Sequence, residues 1–192
     1  GEVGATNARS RRLRVRVNGD GVKTAQVVIA TPGHGAAMLL GSGNGEAATL
    51  RSAIPYMSSV TLALCYDKST FGHPLNGFGF LVPKRGRKHL VACTWVNNKF
   101  SYRVPEDKIV LRCFMGGGSL RETESALIEM ARQELLSFMG VTAQPVFSKV
   151  ARWPQSMAQY TVGHGKRVTA IEGRLIKMPG RQLAGNGYPG IV

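Results

Sequence analysis

Residues 12–17 read Arg-Leu-Arg-Val-Arg-Val, an unbroken alternation of charged and apolar side chains. In an extended chain successive side chains leave on opposite faces, so Leu13, Val15 and Val17 share one face and Arg12, Arg14 and Arg16 the other. Asn18-Gly19-Asp20-Gly21 supplies a turn, and Val22–Ala30 is expected to return as the second strand of a hairpin. Pro32 lacks the N–H that a ladder needs, so that strand is expected to stop at Thr31-Pro32-Gly33 and a short helix to follow through 36–40. Ile54–Tyr66, Gly77–Val82, His89–Val96 and Lys108–Met115 are apolar, β-prone runs separated by turns, one of them the basic turn Lys84–Lys88. They predict at least four strands in an antiparallel meander within a mixed sheet.

The pattern then changes period. Leu127, Ala131, Leu135 and Phe138 fall on one helical face, Ser119-Leu120-Arg121-Glu122 has the spacing of a capping box, and Gly140 is placed to close the helix. Gln144–Arg152 reads as a strand ending at Trp153-Pro154. Val168–Met178 reads as a second amphipathic helix stopped by Pro179-Gly180, and a short strand leads into Leu183-Ala184-Gly185-Asn186. The sum is an α+β chain with a mixed, largely antiparallel sheet and packed helices.

Composition narrows the function classes. The chain has 192 residues, 43% of them apolar, enough for one domain or parts of two with a buried core. No run of about 18 apolar residues predicts a transmembrane helix. The N-terminus, Gly-Glu-Val-Gly, carries no start methionine and no secretory signal, as expected of a fragment. Lys and Arg total 25 against 11 Asp and Glu, a formal charge of +14, which implies an anionic partner without naming it. Cys65, Cys93 and Cys113 are odd in number and widely spaced. They read as small buried thiols rather than a disulfide framework or a zinc site, in keeping with a reducing, cytoplasmic compartment.

Most local signals for chemistry are weak. The Arg stripe from Arg9 to Arg16 lacks the interleaved aromatics of a nucleic-acid module and reads as a solvated strand face, so nucleic acid is not an expected partner. Gly41-Ser42-Gly43-Asn44-Gly45 lacks the spacing of a phosphate loop and reads as a linker. His34, His73, His89 and His164 show no metal-ligand spacing, and no metal site is assigned. No Gly-x-Ser-x-Gly or convincing carboxylate pair is present, and no catalytic acid or base is assigned. Four segments are more detailed than a scaffold requires: Phe71–Pro83, Ala92–Phe100, Arg152–Tyr160 and Leu183–Ile191. Gly77 and Gly79, flanking Phe78, would let the backbone approach something flat.

These segments, in this order, resemble the C-terminal part of the oxygen-dependent protoporphyrinogen oxidases, a family of the flavin amine-oxidase superfamily. Phe71-Gly72-His73-Pro74-Leu75-Asn76-Gly77-Phe78-Gly79-Phe80-Leu81-Val82-Pro83 and Ala184-Gly185-Asn186-Gly187-Tyr188-Pro189-Gly190 carry the resemblance. It implies residues 1–50 as part of an FAD-binding domain, 51–150 as a substrate-binding domain, and 151–192 as a return to the FAD-binding domain. It implies FAD as cofactor, a porphyrinogen as substrate, and oxygen as the acceptor that reoxidises the flavin. Phe78, Leu81, Thr94 and Phe114 are expected to face the substrate, with plain sheet core as the competing reading for each. Trp153, Gly185, Asn186, Gly187, Tyr188, Gly190, Ile191 and Val192 are expected at the cofactor. The family's Gly-x-Gly-x-x-Gly half is absent from these residues, so an N-terminal FAD-binding half is the expected partner, and the isolated chain is expected to be inactive. Peripheral contact with a membrane is compatible with the resemblance. Oxidation of coproporphyrinogen III, another flavin oxidase or desaturase activity, and a non-enzymatic basic module stay open as alternatives.

Overall fold

The computed structural model describes residues 3–7, 10–40 and 53–188. They fall into two units: residues 1–56 with 158–192, and the continuous stretch 57–157.

The second unit is built on a five-stranded sheet. Its strands are β5 (Tyr56–Asp67), β6 (Gly79–Leu81), β7 (Leu90–Trp95), β8 (Lys108–Gly116) and β9 (Phe147–Ala158), in the order β6-β7-β8-β5-β9. The pairs β6–β7, β7–β8 and β8–β5 are antiparallel. β9 runs antiparallel along β5, with Val146 N–H donating to Cys65 O and Gln155 N–H to Ser58 Oγ. Alternation along each strand sends Leu62, Leu64, Cys93, Leu111, Cys113 and Met115 to one face, where they are fully buried with Leu127, Ala131 and Leu135 of a long helix, α4 (Glu124–Met139). Each large side chain so buried contributes roughly 1.5–3 kcal/mol. Two one-turn helices, α2 (Lys68–Phe71) and α3 (Val96–Lys99), connect the strands.

The N-terminus of α4 differs from the sequence expectation. Thr123, not Ser119, caps it, its hydroxyl accepting from Ala126 N–H at 3.2 Å. Residues 117–121 form a 3₁₀ turn with Ser119 buried, and Glu122 is extended, so the Ser119–Glu122 spacing caps nothing. Gly140 closes the helix as expected, its N–H donating to Leu136 O. Phe138 is 45% exposed and meets the Phe80 ring at 5.6 Å. Glu134 lies on the buried face instead, accepting from the N–H groups of His89 and Leu90 at the start of β7. β9 also continues past Trp153-Pro154 to Ala158, because it is an edge strand that can hold a proline.

The first unit contains a three-stranded antiparallel sheet, β1 (Val3–Asn7), β2 (Ser10–Val17) and β3 (Asp20–Thr24). Asn18 and Gly19, both at positive φ, make the tight β2–β3 turn. The expected hairpin to Ala30 ends at Thr24, where the hydroxyl bonds Gln26 O at 2.9 Å. Val27–Ile29 is a separate strand, β4, paired in parallel with β10 (Arg181–Leu183). Helix α1 (Gly33–Leu39) follows β4, and α5 spans His164–Leu175, starting four residues before the expected Val168. The start is set by Gly163 in the left-handed region and by Arg167, whose guanidinium binds the carbonyls of Thr161 and Val162. Ala37, Ile54, Ile171 and Tyr188 form this unit's small core.

Candidate functional site

The face of the five-stranded sheet opposite α4 is assembled by strand register. Gly79 and Leu81 on β6, Ala92 and Thr94 on β7, Arg112 and Phe114 on β8, and Thr61 and Ala63 on β5 alternate with the buried core positions. Register aligns them into two rows: Leu81–Ala92–Phe114–Thr61 and Gly79–Thr94–Arg112–Ala63. Trp153 of β9 extends the first row, its indole N–H donating to Thr61 Oγ1 at 2.9 Å. Five strands at the usual spacing give a floor roughly 19 Å across. Its large side chains are Leu81, Phe114, Trp153 and the cationic Arg112, and the residues between them are small, so it presents a broad, shallow surface.

Three of the four residues expected at the substrate, Leu81, Thr94 and Phe114, thus share one face. Phe78 lies outside both rows. It precedes β6, its carbonyl accepts from Trp95 N–H at 2.9 Å, and its ring is 67% exposed. The glycines beside it have internal reasons. A Cβ at Gly79 would meet Cys93 O at 2.1 Å, and one at Gly77 would meet the Trp95 ring at 3.3 Å. The flat neighbour of Gly77 is therefore a core indole. Leu81 also borders a cavity of about 520 Å³ lined by His73, Phe80, Trp95, Phe138 and Met139, to which Phe78, Thr94 and Phe114 do not contribute.

Trp153 belongs to this sheet face, whereas Gly185, Asn186, Gly187 and Tyr188 belong to the first unit. There β4 and β10 are parallel, so Thr31 and Gly185 follow their strands at the same, carboxyl end, and Ala184 N–H donates to Ile29 O. Ligands of open α/β sheets bind at that end. Gly185 and Asn186 are exposed, and a Cβ at Gly185 would meet nothing within 4 Å. Gly187 and Tyr188 are packing residues: a Cβ at Gly187 would meet Tyr56 Oη at 2.3 Å, and Tyr188 is buried. Burial pushes the Tyr188 phenol up to about 12, and its hydroxyl has no hydrogen-bond partner among the described residues. Gly190, Ile191 and Val192 lie outside the described residues.

Charge on the sheet face is uneven. Lys108 and Arg112 both point outward from β8. Lys108 pairs with Asp107 and, at 3.0 Å, with Asp67, and hydrogen bonding to these carboxylates raises its pKa. Arg112 has no acidic partner among the described residues, and its guanidinium lies 5.0 Å from the centroid of the Phe114 ring. Beneath the face, Cys93 and Cys113 are register partners with Sγ atoms 3.8 Å apart. Hydrogen bonding to Cys93 and burial push the Cys113 thiol well above its ordinary value, so it stays protonated.

Sequence reasoning missed Thr61 and Arg112. The signal was present as period-2 spacing. Arg112 sits two residues before Phe114 in an apolar strand, and Thr61 alternates with Val60 and Leu62.

The two units have the fold of the flavin amine oxidases. A cyclohexylamine oxidase from Brevibacterium oxydans matches 92% of this chain with 40% of its own, at a TM-score of 0.59 and 12% identity. Within that class the chain is similar to porphyrinogen oxidases. An Exiguobacterium protein assigned to the protoporphyrinogen oxidases matches 100% of the chain with 42% of its own, at a TM-score of 0.82 and 25% identity. The coproporphyrinogen III oxidase of Staphylococcus aureus is 27% identical over 142 residues, covering 69% of this chain and 30% of that protein. The chloroplastic protoporphyrinogen oxidase of Oryza sativa subsp. japonica is 26% identical over 185 residues, covering 89% and 34%. The chain spans about a third of the length of these curated relatives. No family model matches it. Among the described residues no helix is long and apolar enough to cross a membrane.

Proposed function

We propose that this chain is the substrate-binding part, with one edge of the cofactor-binding part, of an FAD-dependent porphyrinogen oxidase. The observation that carries the reading is the outer sheet face. Leu81, Thr94, Phe114, Thr61 and Trp153 form a floor across the five strands, with large apolar and aromatic side chains on which a flat tetrapyrrole macrocycle would lie. Similarity to enzymes named for coproporphyrinogen III and protoporphyrinogen supports the same substrate class.

In this reading Leu81 and Phe114 bury the macrocycle by contact with its apolar faces, and Trp153 extends the floor while Thr61 fixes its indole. Phe78, exposed beside β6, serves as an adjustable wall. The carboxyl end of β4 and β10 fits FAD, with Gly185 and Asn186 offering open backbone and Gly187 and Tyr188 holding that turn from within. Trp153 and residues 190–192 are assigned to the cofactor only by the resemblance. Bound FAD would accept hydrides from the macrocycle, and oxygen would take the electrons on. The protein's own share is to orient the ring and exclude water, so no general acid or base is assigned.

The test is a chimera in which this chain replaces the matching third of the Staphylococcus aureus coproporphyrinogen III oxidase. The expected product is a yellow protein that converts coproporphyrinogen III into a fluorescent porphyrin. A folded, flavin-loaded chimera that leaves porphyrinogen unchanged would overturn the proposal. Phe114→Ala in that chimera should raise KM about tenfold, as expected for a lost aromatic contact of 1–1.5 kcal/mol.

A further inference from the structure

We infer that Arg112 is the carboxylate-reading residue of the sheet face, and that it binds a propionate side chain of the macrocycle. The inference rests on the porphyrin-binding reading above and adds its specificity element.

Arg112 leaves β8 on the same face as Phe114 and is exposed. Its register partners are Thr94 and Ala63, both too short to cover it. Its guanidinium stands 5.0 Å from the Phe114 ring, which holds the cation over the floor and leaves its N–H fork available. The other outward cation of β8, Lys108, is already neutralised by Asp67 and Asp107. Elsewhere in this unit Arg132 pairs with Glu129, and Arg152 with Glu124 and the carbonyls of Leu120 and Glu122. Each of these cations has an anionic or carbonyl partner. Arg112, on the apolar floor, has none among the described residues. A guanidinium so placed suits a planar carboxylate bound through two parallel N–H···O bonds. A macrocycle lying over Phe114 presents such a group at its rim.

A flat ligand with carboxylates at its edge therefore gains a bond that an esterified or purely apolar ring lacks. Coproporphyrin III carries four carboxylates and protoporphyrin IX two, so the first offers this corner more orientations and should bind the tighter of the two.

The experiment is a fluorescence titration of the whole chain with coproporphyrin III and, separately, with its tetramethyl ester. Arg112→Met is expected to weaken coproporphyrin III binding about tenfold and to leave ester binding within about twofold, and Arg112→Lys should recover part of the loss. Because Arg112 is exposed and has no acidic partner among the described residues, both variants should melt as the unaltered chain does; Arg112→Gln gives a second neutral variant if Arg112→Met fails to fold. Unchanged coproporphyrin III affinity in a folded neutral variant overturns the role of Arg112 and leaves the porphyrin reading standing. Equal weakening for acid and ester also overturns it, since that marks lost packing rather than a lost ion pair. Failure of the unaltered chain to bind either porphyrin overturns the porphyrin reading and this inference with it.

Discussion

Gly79 sits where β6 presses onto β7, at φ 142° and with the carbonyl of Cys93 occupying the space a Cβ would need. Neither backbone can yield without breaking the β6–β7 ladder. Gly79→Ala should therefore destabilise the second unit by about 3 kcal/mol, measured by urea denaturation. Tyr188 makes the opposite case. Its hydroxyl is buried without a partner among the described residues, so Tyr188→Phe should be neutral or stabilising by up to about 1 kcal/mol at pH 7. Burial favours the neutral phenol, whose folded pKa of about 12 exceeds the ordinary value of 10.0. The associated stability is complete below pH 10 and is lost as pH rises toward 12, amounting to about 2–3 kcal/mol. A denaturation series at alkaline pH should show a shallower decline for Tyr188→Phe. No local pattern marks Tyr188 as core; the resemblance of its segment implies a cofactor contact, and its burial is explained by the neighbouring Ile54 and Ile171.

Elements show the same division. Helix α4 was legible because its apolar residues repeat at helical spacing, and its end was legible because Gly140 follows them directly. Its start was not. Thr123 and Ser119 both offer a hydroxyl before the apolar run, and the 3₁₀ turn at 117–121 decides between them. Thr123→Ala should cost about 1 kcal/mol in thermal or urea unfolding. Ser119→Ala, at a position that caps nothing, should leave the helix content seen by circular dichroism unchanged. Glu134 receives the free N–H groups of His89 and Leu90 and so ties α4 to β7, a contact that no spacing along the helix announces. Glu134→Ala strands these two donors and should destabilise by about 2–3 kcal/mol. The parallel pairing of β4 with β10 was hidden as well, because about 150 residues separate the partners and parallel ladders leave no turn signal between them.

At the scale of the molecule, charge and shape act together. The chain carries +14, and the ligand class we propose is anionic at its rim and apolar at its centre. Coproporphyrin III binding should weaken several-fold when salt is raised from about 0.1 M to 1 M, where the screening length falls from about 10 to 3 Å, and should not vanish, because the floor contributes apolar burial that salt does not screen. The sequence by itself determined the strand and helix runs, the α+β class and the resemblance, since these follow from side-chain periodicity and from residues adjacent along the chain. It also determined which residues on any one strand share a face, because alternation is a local property. Which strands lie side by side was decided only in the tertiary structure. Cross-strand register set Leu81 in line with Phe114 and Trp153, left Phe78 outside the rows, gave Lys108 its carboxylates and left Arg112 without one among the described residues. The physical reason is that hydrogen-bond ladders join residues far apart in sequence, and no local propensity encodes their alignment.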